Sequence, residues 1–149
     1  MRYVHTNLIA RDWKNLSRFY IDVFGCSPVY PERHLSGAWI DELTSIENVR
    51  VDGIHLRLPG YGENGPTLEI FQYAPASDPE RLPFINGCGF GHIAFHVDSV
   101  EDVLTCLLSH GGSQLGKMIV KDYEGIGRLS AVYARDPEGN FIEIQNWKK

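Results

Sequence analysis

The feature that most constrains this chain is an internal repeat. Residues 3–9 read as a strand, and the apolar positions Leu16, Phe19, Tyr20, Val23 and Phe24 then recur at i, i+3, i+4, i+7 and i+8, one face of a helix. Asp12 stands at its start as a cap and Gly25 at its end. The second half begins the same way. His92-Ile-Ala-Phe-His-Val reads as a strand, Ser99 with Asp102 as a capping box, and Val100, Val103, Leu104, Leu107 and Leu108 as a second apolar face. Laying His5 on His92 brings Gly25 onto Gly112, Leu16 onto Val103 and Tyr20 onto Leu107. The far ends agree too. Gly65-Pro-Thr-Leu-Glu69-Ile-Phe-Gln-Tyr73 and Gly139-Asn-Phe-Ile-Glu143-Ile-Gln-Asn-Trp147 share the pattern Gly-x-x-x-Glu-Ile-x-x-aromatic. Two separated matches, with the helices in phase, imply a duplication.

The duplication predicts that each half runs strand, helix and then about three strands, an α+β arrangement of two βαβββ modules. The modules are residues 1–74 and 88–149. Between them, residues 75–87, with Pro75, Pro79 and Pro83 followed by Gly87, read as a linker within one structural domain. Further strands are expected near 37–42, 50–58, 67–73, 114–122, 128–134 and 140–147. More residues separate His5 from Glu69 than His92 from Glu143, so the first half carries an insertion. Between Pro31 and Ile54 the pattern is weak, and a long loop with a short helix is expected, the stretch from about Arg33 to Glu47 bordering a cavity mouth and shaping specificity.

Composition narrows the class. With 43% apolar and 22% charged residues in 149, the chain suits an ordinary globular protein, and no run reaches the roughly 18 apolar residues of a membrane span. The first five residues turn polar at once, so no signal peptide is expected. Fourteen Lys and Arg against nineteen Asp and Glu, with no basic cluster, argue against a nucleic-acid partner. Cys26, Cys88 and Cys106 are odd in number and far apart. They read as free, buried, inert thiols of a reducing cytoplasm.

The chemistry rests on what the repeat retains: one histidine on each first strand, His5 and His92, and one glutamate on each last strand, Glu69 and Glu143. A lone strand histidine is more often structural, and a lone strand glutamate more often solvated. Equivalent placement in both halves favours function. Two imidazoles and two carboxylates suit a borderline divalent cation, with Zn, Ni, Co, Mn and Fe all compatible. Period-2 alternation puts Asn7 and Ile9 on the face of His5, and Ala94 and His96 on that of His92. It puts Thr67, Phe71 and Tyr73 with Glu69, and Phe141, Gln145 and Trp147 with Glu143. His34, His55 and His110 read as structural, His110 at a helix C-terminus; His96 stays open between a supporting partner and a cavity wall. Arg33, Arg50, Arg57, Lys117, Lys121 and Arg128 read as solvated charges, any of which could meet an anionic substrate tail.

Several stretches carry a family resemblance: Val4-His5-Thr6, Phe19-Tyr20-x₄-Gly25, Leu68-Glu69-Ile70, Gly91-His92-Ile93-Ala94-Phe95 and Asp136-Pro-Glu-Gly-Asn-Phe-Ile-Glu143. With these the sequence resembles the vicinal oxygen chelate superfamily over nearly its whole length, closest in look to metal-dependent glyoxalase I and methylmalonyl-CoA epimerase. The resemblance implies two paired βαβββ modules forming one curved mixed sheet around a metal-binding cavity, a metal held by His5, Glu69, His92 and Glu143, and a glyoxalase-like isomerase or lyase that moves a proton next to a metal-bound carbonyl. Glu143 is the expected base, with Glu69 as its opposite partner. The substrate is expected to be a small molecule such as a thioester or hemithioacetal. A cytoplasmic homodimer is expected, with the site inside one chain or at the dimer interface. Two other readings stand beside this one: an Fe- or Mn-dependent extradiol-type dioxygenase, and a metal-free drug-binding protein of the same superfamily.

Overall fold

In the computed structural model, residues 1–77 and 83–149 are described. The chain forms two compact units, Met1–Pro79 and Glu80–Lys149. Part of the expected linker, residues 78–82, lies outside the described residues.

The first unit runs β1 (His5–Ile9), α1 (Trp13–Phe24), β2 (Ser27–Ser36), α2 (Ala38–Thr44), β3 (Arg50–Arg57) and β4 (Thr67–Ala74). The second runs β5 (Ile93–His96), α3 (Val100–Ser109), β6 (Ser113–Tyr123), β7 (Gly127–Arg135) and β8 (Phe141–Lys148). The strand orders are β1-β4-β3-β2 and β5-β8-β7-β6, the same topology twice. In each, the first strand pairs parallel with the last and the other pairings are antiparallel. The fold is therefore α+β with two βαβββ modules. The hydrogen-bonded strands form two four-stranded mixed sheets, one per unit.

The register confirms the repeat at the level of single residues. Asn7 faces Glu69 across β1 and β4, and Ala94, its counterpart, faces Glu143 across β5 and β8. His55 faces Glu69 across β3 and β4, as Tyr133 faces Glu143 across β7 and β8.

Helix α1 follows its sequence signals closely. The Asp12 carboxylate accepts the Asn15 backbone N–H, one of the four donors a helix start leaves unpaired. Gly25 adopts φ 68, and its N–H bonds the Ile21 carbonyl while that of Cys26 bonds the Tyr20 carbonyl. The buried face is Trp13, Leu16, Phe19, Tyr20, Val23 and Phe24, and each such side chain contributes about 1.5–3 kcal/mol by leaving water. It packs on β3 and β4, where Ile54, Leu56, Leu68 and Ile70 are buried. Helix α3 is a lighter copy. Ser99 Oγ accepts the Asp102 N–H, but only Val100 and Leu107 are buried. It also ends sooner than the repeat implies. The left-handed position falls at Gly111 (φ 88), not at Gly112, which is glycine for space: a Cβ there would stand 2.5 Å from Leu107 Cδ2 and 2.8 Å from the Arg135 carbonyl.

The insertion differs most from expectation. Residues 37–42 are not a strand; the short helix expected between Pro31 and Ile54 is present as α2, and strand flanks it where loop was expected. Strand β2 continues to Ser36 and α2 follows. Two prolines disguised β2. Proline lacks the N–H a central strand needs, but β2 is an edge strand and its register shifts between Val29 and Arg33, around Pro31. The second unit repeats this device, with a shift in edge strand β6 between Leu115 and Ile119. The Ala-Trp-Ile run at 38–40 suited a strand, but tertiary partners select the helix. Asp41 closes the segment by accepting the N–H groups of Asn48 and Val49, and Ser45 and Asn48 adopt positive φ. Ile40 then packs with Val49, Val51 and Phe71, flanked by Leu35 and Tyr73. Residues 37–49 thus stand where the second unit has only residues 124–126, and they cover one end of the sheet face that carries Glu69.

The cysteines divide by environment. Cys26 is buried, and burial pushes its thiol up to about 12. Cys88 is exposed, against the expectation of three buried thiols, and Cys106 is half-buried. A thiolate reagent added to native protein at pH 8 is expected to label Cys88 first and to leave Cys26 unlabelled until denaturant is added, because the thiolate is the reactive form. Mass mapping of the labelled peptides checks this; prompt native labelling of Cys26 would contradict the burial.

Candidate functional site

Each unit carries a histidine–glutamate pair on the sheet face opposite its main helix. In the first, Glu69 is 8% exposed, a low value for a carboxylate, and three side chains account for it. His5 Nε2 lies 3.4 Å from Oε2, Asn7 Nδ2 donates to Oε2 at 3.1 Å, and His55 Nε2 lies 3.0 Å from Oε1. Period-2 alternation places His5 and Asn7 on one face of β1, and the β3–β4 register brings His55 directly opposite Glu69. The ring of His55 also meets Phe71 edge-on at 5.8 Å and His5 at 6.1 Å. Gly53, opposite Phe71 in the register, makes room for that ring: a Cβ at Gly53 would stand 2.4 Å from Phe71 Cδ1 and 2.2 Å from the Ile70 carbonyl.

In the second unit, His92 Nε2 lies 3.0 Å from Glu143 Oε2, and the Tyr133 hydroxyl donates to the same oxygen at 3.4 Å. The His92 and Tyr133 rings meet edge-on at 5.1 Å. Further along this face, Trp147 Nε1 donates to Gln145 Oε1 and the Trp147 ring tilts against Tyr123.

Electrostatics follow the burial. The His55 imidazolium is disfavoured, first by desolvation and then by the nearby Arg33 and His5, while Glu69 works in the opposite direction; the net shift is downward. The Tyr133 hydroxyl is pushed up, first by burial and then by the charge and hydrogen bond of Glu143.

The four residues share repeat positions, and the structure brings them together two by two: His5 with Glu69, and His92 with Glu143. His55, expected as a structural histidine, and Tyr133 join these pairs. Their signal was the hairpin register, which depends on turn lengths that the sequence left open. His34 is an exposed residue paired with Asp52 at 2.6 Å. His110 caps the end of α3, its Nδ1 2.8 Å from the Cys106 carbonyl. His96 is exposed at the end of β5.

The donor set can be tested for fit to a cation. Two ligands each about 2.1 Å from one ion, at tetrahedral or octahedral angles, stand about 3.0–3.4 Å apart. The His5–Glu69 and His92–Glu143 separations of 3.4 and 3.0 Å fall in that range. Among the described residues, no three or more His, Cys, Asp or Glu are grouped so that they could hold a metal by themselves. Each unit thus offers a pair of nitrogen and oxygen donors compatible with a divalent ion, and neither pair is a complete site.

The fold and the repeated His–Glu pairs define a protein of two duplicated βαβββ modules. The chain belongs to the glyoxalase/bleomycin resistance protein/dioxygenase superfamily, whose family model matches residues 2–144. Solved structures agree on the fold. A glyoxalase family protein from Bacillus cereus is 18% identical with a TM-score of 0.83, over 100% of this chain and 95% of that one. A glyoxylase/bleomycin resistance protein/dioxygenase domain from Frankia sp. is 16% identical with a TM-score of 0.63, over 99% and 98%. A family enzyme from Burkholderia phytofirmans is 18% identical with a TM-score of 0.57, over 97% of each chain. No curated protein matches the chain.

Proposed function

We propose that this protein is a divalent-metal-dependent, glyoxalase-like isomerase or lyase that moves a proton next to the carbonyl of a small substrate. The observation that carries the reading is the equivalent pairing of His5 with Glu69 and His92 with Glu143 at separations suited to shared ligation. The cation would be held by these four residues and, when bound, would polarise a carbonyl and so ease loss of the proton on the adjacent carbon. Glu143 is the base. Its known protein partners, His92 and Tyr133, both meet Oε2, so Oε1 is the oxygen placed to take up and return a proton. Glu69, contacted at both oxygens, serves as the opposite ligand. The substrate class is a thioester, a hemithioacetal or a related carbonyl compound.

Retention of both carboxylates favours this reading over an extradiol-type dioxygenase, which resembles a two-histidine, one-carboxylate triad with open positions for oxygen. It also favours it over a metal-free binding protein, which needs neither carboxylate. The protein is further proposed to work in the cytoplasm, which suits its free thiols, as a homodimer that covers exposed apolar side chains such as Trp39, Leu43, Phe84 and Phe90.

The deciding experiment is turnover in D₂O with 2-oxoaldehyde–thiol, 2-hydroxythioester and 2-methylmalonyl-type substrates, on protein whose metal content has been measured without chelators. Deuterium at the carbon beside the carbonyl is the expected result. Oxygen consumption with a catechol and no exchange on any carbonyl substrate would establish the dioxygenase instead.

A further inference from the structure

The two glutamates occupy equivalent repeat positions but are held differently, and the difference lies in the residue directly across the hairpin. His55 is in register with Glu69, and Tyr133 with Glu143. His55 Nε2 is 3.0 Å from Glu69 Oε1, while His5 and Asn7 address Oε2. On the other side of the His55 ring, Nδ1 lies 3.2 Å from the Thr67 hydroxyl. An ionised carboxylate only accepts hydrogen bonds, so Nε2 must carry the proton and donate. The neutral ring then has Nδ1 free as an acceptor, and Thr67 donates to it. The chain Thr67–His55–Glu69 therefore has one consistent direction, fixes the tautomer of His55, and secures the Glu69 oxygen that His5 does not meet. Tyr133 does not repeat this. Its hydroxyl goes to Glu143 Oε2, the oxygen His92 already meets, so among the described residues Glu143 Oε1 has no such partner.

We infer that His55, oriented by Thr67, is a positioning residue that locks Glu69 through Oε1 and so makes the first-unit carboxylate a fixed ligand, leaving proton transfer to its less constrained counterpart Glu143. The inference rests on the four-residue metal reading for its consequence, but the lock itself is a property of the metal-free chain.

Two measurements separate the two claims. In metal-free protein, long-range proton–nitrogen NMR is expected to show His55 protonated at Nε2, with that proton slow to exchange, and Glu69→Gln is expected to speed the exchange. A ring protonated at Nδ1 would overturn the lock whatever the metal does. In the second measurement Co(II) is titrated as the probe. His55→Phe keeps a ring of similar size without the donor and is expected to weaken Co(II) binding about 10–100-fold and to alter the visible spectrum. His55→Gln, whose amide can reach the place of Nε2, is expected to recover most of the affinity. Thr67→Val, which frees the tautomer and leaves the ring in place, is expected to fall between. Wild-type affinity and spectrum in both His55→Phe and Thr67→Val would overturn the positioning role. Wild-type protein that binds no Co(II), but shows the Nε2 tautomer, would remove the metal reading and leave the lock standing.

Discussion

Replacing Glu143 by Gln is expected to lower kcat by about 10²–10⁴-fold, the contribution of a positioned proton-transfer group. The substitution keeps the side chain's shape and its place beside His92 and Tyr133, so the fold should survive. Two proposed roles are lost together in it: that of a carboxylate ligand and that of the oxygen taking the proton. They are separable by comparing Glu143→Gln with Glu69→Gln. If Glu69 acts mainly as a ligand, its variant should raise the metal dissociation constant, and saturating metal should restore much of its turnover. Saturating metal should not rescue Glu143→Gln. The measurement is kcat against metal concentration for both variants, with whichever carbonyl substrate exchanges deuterium in the wild type. Full rescue of Glu143→Gln by metal would move the base to Glu69 or to a group outside these four residues.

How much of this was legible beforehand depends on which interactions decide each element. The repeat was legible because it is written in local signals: a capping residue, a helical face, a glycine, and a glutamate followed by isoleucine. Strand alternation then placed Asn7 on the face of His5, and Asn7 does donate to Glu69. A short helix was legible somewhere between Pro31 and Ile54, but its place at Ala38–Thr44 and the strand β2 were not, because their local signals point the wrong way. Pro28 and Pro31 argue against a strand until the strand is known to be an edge with a register shift. The Ala-Trp-Ile run becomes a helix because Asp41 ties down Asn48 and Val49 and because Ile40 has a cluster to enter. His55 was missed for a related reason. A single histidine carries little information, and its meaning came from standing opposite Glu69, a fact of hairpin register. The exposure of Cys88 likewise could not be read from residue type, since free cysteine is usually buried.

The same repeat, used as a ruler, gives the largest expected effect on stability. Phe19 in α1 and Cys106 in α3 hold equivalent positions, each fourteen residues after its strand histidine. Phe19 is 2% exposed, and its ring meets Tyr20 edge-on at 5.3 Å and Phe24 at 6.1 Å. Truncating it removes the transfer term of a buried aromatic and leaves a cavity that Tyr20 and Phe24, themselves packed, cannot close. The expected cost of Phe19→Ala is about 3–5 kcal/mol. That is a large share of a total stability of about 5–15 kcal/mol. Cys106 is half-buried and small, so Cys106→Ala should cost less than about 1 kcal/mol, in the range of substitutions away from a tight core. Urea unfolding of both variants, with the slope m held equal to the wild type, measures the contrast. Near-equal losses would mean that α3 carries as much of the core as α1, against its short buried face of Val100 and Leu107.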